Sequence, residues 1–77
     1  MTPMQCRMAR AALDWTVHEM ARNAQVGIST VVRFEAGRGK PIVATVAAMK
    51  RTFEAAGIRF IDKGVCFEGD EPGEDPA

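Results

Sequence analysis

Apolar residues recur at helical spacing through the first two-thirds of this chain and at strand spacing near its end. Thr2-Pro3-Met4-Gln5 opens a first helix as a capping box, with proline at the first helical position, where its missing N–H is harmless. Cys6, Ala9 and Leu13 share a face of that helix and are expected to meet Trp15 in the core, Cys6 as a small buried hydrophobe. Thr16-Val-His-Glu19 is a second capping box, after which Met20, Ala21 and Ala24 fall on one face and leave His18, Glu19, Arg22 and Asn23 to solvent. Beyond a bend around Gln25, a third helix is predicted from about Ile28 to Ala36, ending at Gly37 as a left-handed cap. Gly37-Arg-Gly-Lys-Pro41 reads as a loop. A fourth helix is predicted from about Val43 to Ala56, with Val46, Met49 and Phe53 inward, Lys50 and Arg51 outward, and Gly57 ending it. Ile58 to Ile61 and Val65 to Glu68 have strand length, and Asp62-Lys-Gly64 between them reads as a hairpin loop with Gly64 in the left-handed position. A lone two-stranded hairpin is marginal in water, so these strands are expected to pack on the helices or to pair with those of a second subunit.

The segment from Val17 to Gly37 thus reads as two short helices joined by a tight bend, a helix-turn-helix whose usual partner is the major groove of DNA. Ala21 is small where the second of these helices would cross the first, and Val31, ten positions on, is the branched anchor such a crossing needs. Residues 4 to 57 resemble the Cro/CI-type helix-turn-helix family, also called the XRE family, of small bacterial and phage regulators. The resemblance is carried by Met20-Ala21 and Ala24, Val26 with Ser29-Thr30-Val31, Phe34-Glu35-Ala-Gly37, and Pro41 with Thr45-Val46 and Met49. Three features depart from the family pattern, at four positions. Gln25 stands in the bend where glycine is common, Gly27 stands where a serine or threonine cap is common, and Ile28 and Val32 put apolar side chains on the face where DNA readers more often carry polar ones.

The fold class expected is therefore mainly α: a four-helix Cro/CI-like domain over residues 1–57, a short β extension over 58–68 that serves dimerisation, and a disordered acidic tail over 69–77. The resemblance implies that the third helix reads base edges through Ile28, Ser29, Val32 and Arg33. Arg33 is the expected specific contact, because a guanidinium donates two hydrogen bonds to guanine; Ser29 can donate to a base or a phosphate, and Ile28 and Val32 can pack on thymine methyls. Thr16 and Val17 at a helix start, Thr30, and the loop cations Arg38 and Lys40 are expected to hold phosphates. The resemblance also implies an ion pair between Arg10 and Glu35 that clamps the first helix to the end of the third. Ile58, Phe60, Ile61, Val65 and Phe67 are the expected dimerisation residues.

Composition adds an asymmetry that the formal net charge of zero conceals. Through Arg59, nine basic residues stand against Asp14, Glu19, Glu35 and Glu54, a surplus of five positive charges; from Phe60 onward the balance is five negative. A basic body with an acidic end suits a polyanion partner. The partner expected is double-stranded DNA carrying a pseudo-palindromic operator, bound by a homodimer that represses by occluding a promoter, in some cases its own. Such regulators are common on phages and mobile elements. With no signal-peptide pattern and no long apolar run, the expectation is a cytoplasmic protein without membrane partner. Cys6, Cys66 and a single histidine offer no metal-ligand spacing, so no metal, cofactor or small-molecule ligand is expected. No nucleophile with a base, no paired carboxylates in a folded region and no phosphate loop argue for an enzyme. The alternative from a different class is a helix-turn-helix protein that binds another regulator in the manner of an antiactivator or antitoxin, for which the exposed pair Ile28 and Val32 would serve as a docking stripe.

Overall fold

Helix boundaries follow the caps. The computed structural model describes residues 1–69 and contains α1 (Pro3–Leu13), α2 (Val17–Ala24), α3 (Ile28–Glu35), α4 (Val43–Ala55), β1 (Ile58–Ile61) and β2 (Gly64–Phe67). The chain is mainly helical and ends its described part in a two-stranded antiparallel sheet. Residues 70–77, most of the expected acidic tail, lie outside the described residues.

Both capping boxes form. Thr2 Oγ1 accepts from the Gln5 N–H at 3.1 Å while the Thr2 N–H donates to Gln5 Oε1 at 2.9 Å, and Thr16 and Glu19 repeat the exchange at 3.0 Å each way. The first three helices also end alike. A left-handed residue closes each, directly after α1 at Asp14 (φ 56°) and α2 at Gln25 (φ 58°), and one residue later after α3, where Ala36 precedes Gly37 (φ 71°), and the next N–H reaches back to the last turn. Those closing bonds run from Trp15 to Arg10 (2.9 Å), Val26 to Ala21 (3.0 Å) and Arg38 to Arg33 (2.9 Å), satisfying carbonyls that the helix itself cannot. The bend between α2 and α3 therefore needs no glycine at Gln25. Gly27 caps α3 in extended geometry with no side-chain bond.

The core is built mostly from the predicted faces. Cys6 and Ala9 of α1, Met20 and Ala21 of α2, Val31 and Phe34 of α3, Met49 and Phe53 of α4, and Ile58 of β1 are buried. Leu13, Trp15, Ala24 and Val46, also expected inside, are partly buried against that cluster. Phe53 links the parts: its ring stacks on Trp15 with centroids 5.8 Å apart and meets Phe60 edge-on at 6.1 Å. Lys50 was expected to point outward, but it is half-buried, with Nζ 5.8 Å from the Phe60 ring centroid, because its methylene stem covers apolar surface while the ammonium faces the ring.

The hairpin differs from expectation in its turn. Ile61 pairs with Gly64, so the loop has two residues rather than three, and the left-handed position is Lys63 (φ 60°), not Gly64. The register then places Phe60 opposite Val65 and Ile58 opposite Phe67, and the Glu68 N–H closes the open end onto the Gly57 carbonyl at 2.7 Å. The sheet packs on the helices of the same chain, β2 against α1 and β1 against α4. Gln5 explains how the turn is held. Its Nε2 donates to the Ile61 carbonyl at 2.7 Å and to the Gly64 carbonyl at 3.1 Å, while its Oε1 serves the cap of α1. Gln5→Ala is accordingly expected to cost about 2 kcal/mol, since two hydrogen bonds to partly buried carbonyls and half of a capping box disappear together. Urea unfolding measures it; a loss below about 0.5 kcal/mol would mean that the turn is held by its own strands.

Candidate nucleic-acid interface

The third helix is positioned from its C-terminal end. Glu35, the last residue of α3, is only 7% exposed and accepts from Arg10 twice, Nε to Oε2 at 2.6 Å and Nη2 to Oε1 at 2.8 Å. Two parallel donors on one carboxylate fix orientation as well as distance. The cluster is larger than a pair. The Cys6 thiol donates to Glu35 Oε2 at 3.3 Å, Arg7 Nη1 donates to the Glu35 backbone carbonyl, and Arg10 Nη1 donates to the Trp15 carbonyl at 3.0 Å. Cys6 is thus a hydrogen-bond donor as well as the buried hydrophobe expected. Burial alone would raise the Glu35 pKa, but the hydrogen bonds from Arg10 and Cys6 and the charges of Arg10 and Arg7 outweigh it and hold the carboxyl below its ordinary value. Burial, reinforced by the bond to Glu35 and its charge, pushes the Cys6 thiol up to about 12. The hydrogen bonds to Glu35 raise Arg10 despite its desolvation.

Beyond this clamp the chain leaves α3 through Gly37 and Gly39, both left-handed, and enters α4 at Val43. A groove of about 280 Å³ opens between α3, this loop and the first turns of α4. Ser29, Thr30 and Arg33 line it from α3, Arg38 and Lys40 from the loop, and Thr45 from α4, over a floor that includes Phe34, Val46 and Met49. Five of the residues expected to touch nucleic acid therefore share one groove. Three of them are cations and two are hydroxyls, a set suited to anionic oxygens.

The other expected contacts lie elsewhere. Ile28 and Val32 sit on the outer flank of α3, 44% and 50% exposed, and do not line the groove. Thr16 caps α2, where its amide is already held by Glu19, so a carboxylate stands beside the two residues, Thr16 and Val17, expected to hold phosphate there. The bonds from the Thr16 amide and hydroxyl group keep the Glu19 carboxyl ionised to lower pH than usual. Of the five expected dimerisation residues, Ile58 is buried in the protomer's own core and Phe60 and Val65 pack against that core. Phe67, 42% exposed, and the half-buried Ile61 remain for a partner.

Three features went unread in the sequence. Gly39 is left-handed (φ 70°), which favours glycine whatever the space, and the Arg33 guanidinium lies over it, Nη2 standing 3.0 Å from where a Cβ would be. Thr45 adds a hydroxyl to the far wall of the groove, and its position in the first turn of α4 was the available signal. Ile42 and Val43, 70% and 84% exposed, extend an apolar surface at the start of α4. Among the described residues no group of three or more histidine, cysteine, aspartate or glutamate side chains is gathered to hold a metal ion, and no helix is long and apolar enough to cross a membrane. Compared with protein-family models and with curated proteins, the chain matches none.

Proposed function

We propose that this chain is a sequence-specific DNA-binding regulator of the Cro/CI type, in which α2 and α3 form the helix-turn-helix and α3 enters the major groove. The observation that carries the reading is the groove beside α3, where Arg33, Arg38 and Lys40 gather with Ser29, Thr30 and Thr45. Loop cations just beyond a recognition helix lie beside the backbone of the groove it enters, and phosphate contacts set register while α3 faces the bases. The basic surplus of the first 59 residues supports the same partner. One such domain grips few phosphates, so a cytoplasmic homodimer on a pseudo-palindromic operator, occluding a promoter, is the assembly we infer, with Ile61 and Phe67 at its interface.

Fluorescence anisotropy with labelled DNA from upstream of the gene, against a scrambled duplex, tests the reading. Tight binding to the native fragment that weakens steeply with salt is expected, and binding to neither duplex would overturn it. Arg38→Ala combined with Lys40→Ala should weaken binding to every duplex alike and flatten the slope of log affinity against log salt by about 2, one for each phosphate contact. An unchanged slope would remove the loop from the interface. A second reading has its own observation: Ile28, Val32, Ile42 and Val43 are apolar and exposed, as a surface for another regulator would be. Binding to such a protein would hardly respond to salt.

A further inference from the structure

We propose that α3 reads its operator through thymine methyl groups, contacted by Ile28 and Val32, and that Arg33 belongs with the phosphate-holding cations rather than with the base readers. This rests on the DNA-binding reading above and names the base chemistry it would select.

Two stripes run side by side along α3. Ile28 and Val32 are one turn apart and so share a face, as do Ser29 and Arg33 next to them. The second stripe lines the groove with the loop cations, and the first does not. Arg33 lies on the loop side of α3: its Nη2 stands 3.0 Å from where a Cβ at position 39 would be, so the guanidinium rests over Gly39, between Arg38 and Lys40 in the chain. Laid that way, it adds a third cation to a wall of hydroxyls and cations, which is phosphate chemistry, and it is turned from the flank that carries Ile28 and Val32.

What remains on that flank is aliphatic. Isoleucine and valine have no donor or acceptor, so they cannot distinguish the N7, O6, N6 or N4 groups of the major groove. The one apolar feature in that groove is the C5 methyl of thymine. Both side chains are branched at Cβ and stiff at χ1, which suits them to a fixed methyl contact. Flanked by cations on a body with surplus positive charge, this pair is set against a polyanion rather than a neutral apolar surface.

The test uses the full chain and native-sequence DNA chemistry. The protein is first allowed to select duplexes from a random-sequence pool, and the selected site is remade with deoxyuridine for thymine, which removes methyl groups and nothing else. Each contacted methyl lost is expected to weaken binding roughly fourfold, the equivalent of about 0.8 kcal/mol for one buried carbon. Replacing Ile28 and Val32 together by alanine should remove most of the difference between the thymine and deoxyuridine duplexes. Arg33→Ala should weaken all duplexes alike, reduce the salt slope by about 1 and leave the thymine preference in place. Equal affinity for thymine and deoxyuridine sites would overturn methyl reading while leaving sequence-specific DNA binding intact. Loss of preference at a guanine in Arg33→Ala would return Arg33 to the base readers. A chain that binds no duplex even at low salt would overturn both this inference and the reading beneath it, and leave a protein partner for the apolar flank.

Discussion

Phe53→Ala is expected to remove most of the stability of this chain. Phe53 is the largest fully buried side chain, and its ring stands between Trp15 at the junction of α1 and α2 and Phe60 on β1. Truncating a buried phenylalanine costs about 3–5 kcal/mol, from lost transfer energy and the cavity left behind, and each aromatic pair adds about 0.5–1.5 kcal/mol. A chain of 77 residues has on the order of 4–11 kcal/mol in total. Far-UV circular dichroism with urea titration reads the loss directly. Phe53→Leu, which keeps most of the volume, should lose far less, and a Phe53→Ala variant unfolding within about 1 kcal/mol of the parent would show that neighbouring side chains collapse into the space.

Glu35→Ala is expected to cost less than Phe53→Ala but still a large part of the stability, for an electrostatic reason. It leaves Arg10 without the carboxylate that accepts two of its donors, and leaves the Cys6 thiol with no acceptor in a buried place. Breaking a buried pair from one side costs about 3–5 kcal/mol, but the Arg10 side chain is still 22% exposed and can turn to water, so about 2–3 kcal/mol is the expectation. Replacing both partners by apolar residues, Arg10→Met with Glu35→Leu, should recover much of that loss in urea unfolding, because no uncompensated charge remains. If the double variant is no more stable than Glu35→Ala, then the geometry of the fork matters more than the desolvated charge.

The same cluster bounds the pH range of the fold from both sides. The folded-state pKa of Glu35 is depressed, so its contribution is complete above the ordinary carboxylate range and is lost as pH falls through the folded value below it. The Cys6 thiol is raised from an ordinary value near 9 to about 12, so its protonated form favours folding at neutral pH, and stability declines as pH climbs from about 9 toward 12. Cys6→Ala should flatten the alkaline limb, and should also shrink the acid limb in part, because Glu35 loses one of the hydrogen bonds that lower its pKa while Arg10 remains.

The parts of this architecture that are local in sequence were legible. Both capping boxes, the four apolar faces and the closing role of Gly37 depend on residues within a few positions of one another. What escaped depends on distant partners. The turn was assigned to Gly64 because glycine favours a left-handed site, yet Gln5, far away in sequence, holds the carbonyls of Ile61 and Gly64 in a register that puts Lys63 there. Lys50 reads as a surface cation until Phe60 is placed beneath it. Arg7 and Cys6 join Arg10 at Glu35 with no local signature, since one of the two acceptors is a backbone carbonyl and the other is shared. At the groove, the cations were visible as residue types, but the space that Gly39 leaves for the Arg33 guanidinium appears only when the loop is folded back on α3.

Gln5 also sets the order in which a newly made chain can finish folding. Its Nε2 is bonded to carbonyls 56 and 59 positions later, so α1, capped locally by the same side chain, gains its tie to the sheet only after the hairpin has been synthesised. Larger proteins commonly fold from the N-terminal domain onward as they emerge. This chain instead joins α1 to the hairpin that follows all four helices, and a nascent fragment stopped before Gly64 would carry α1 without that anchor.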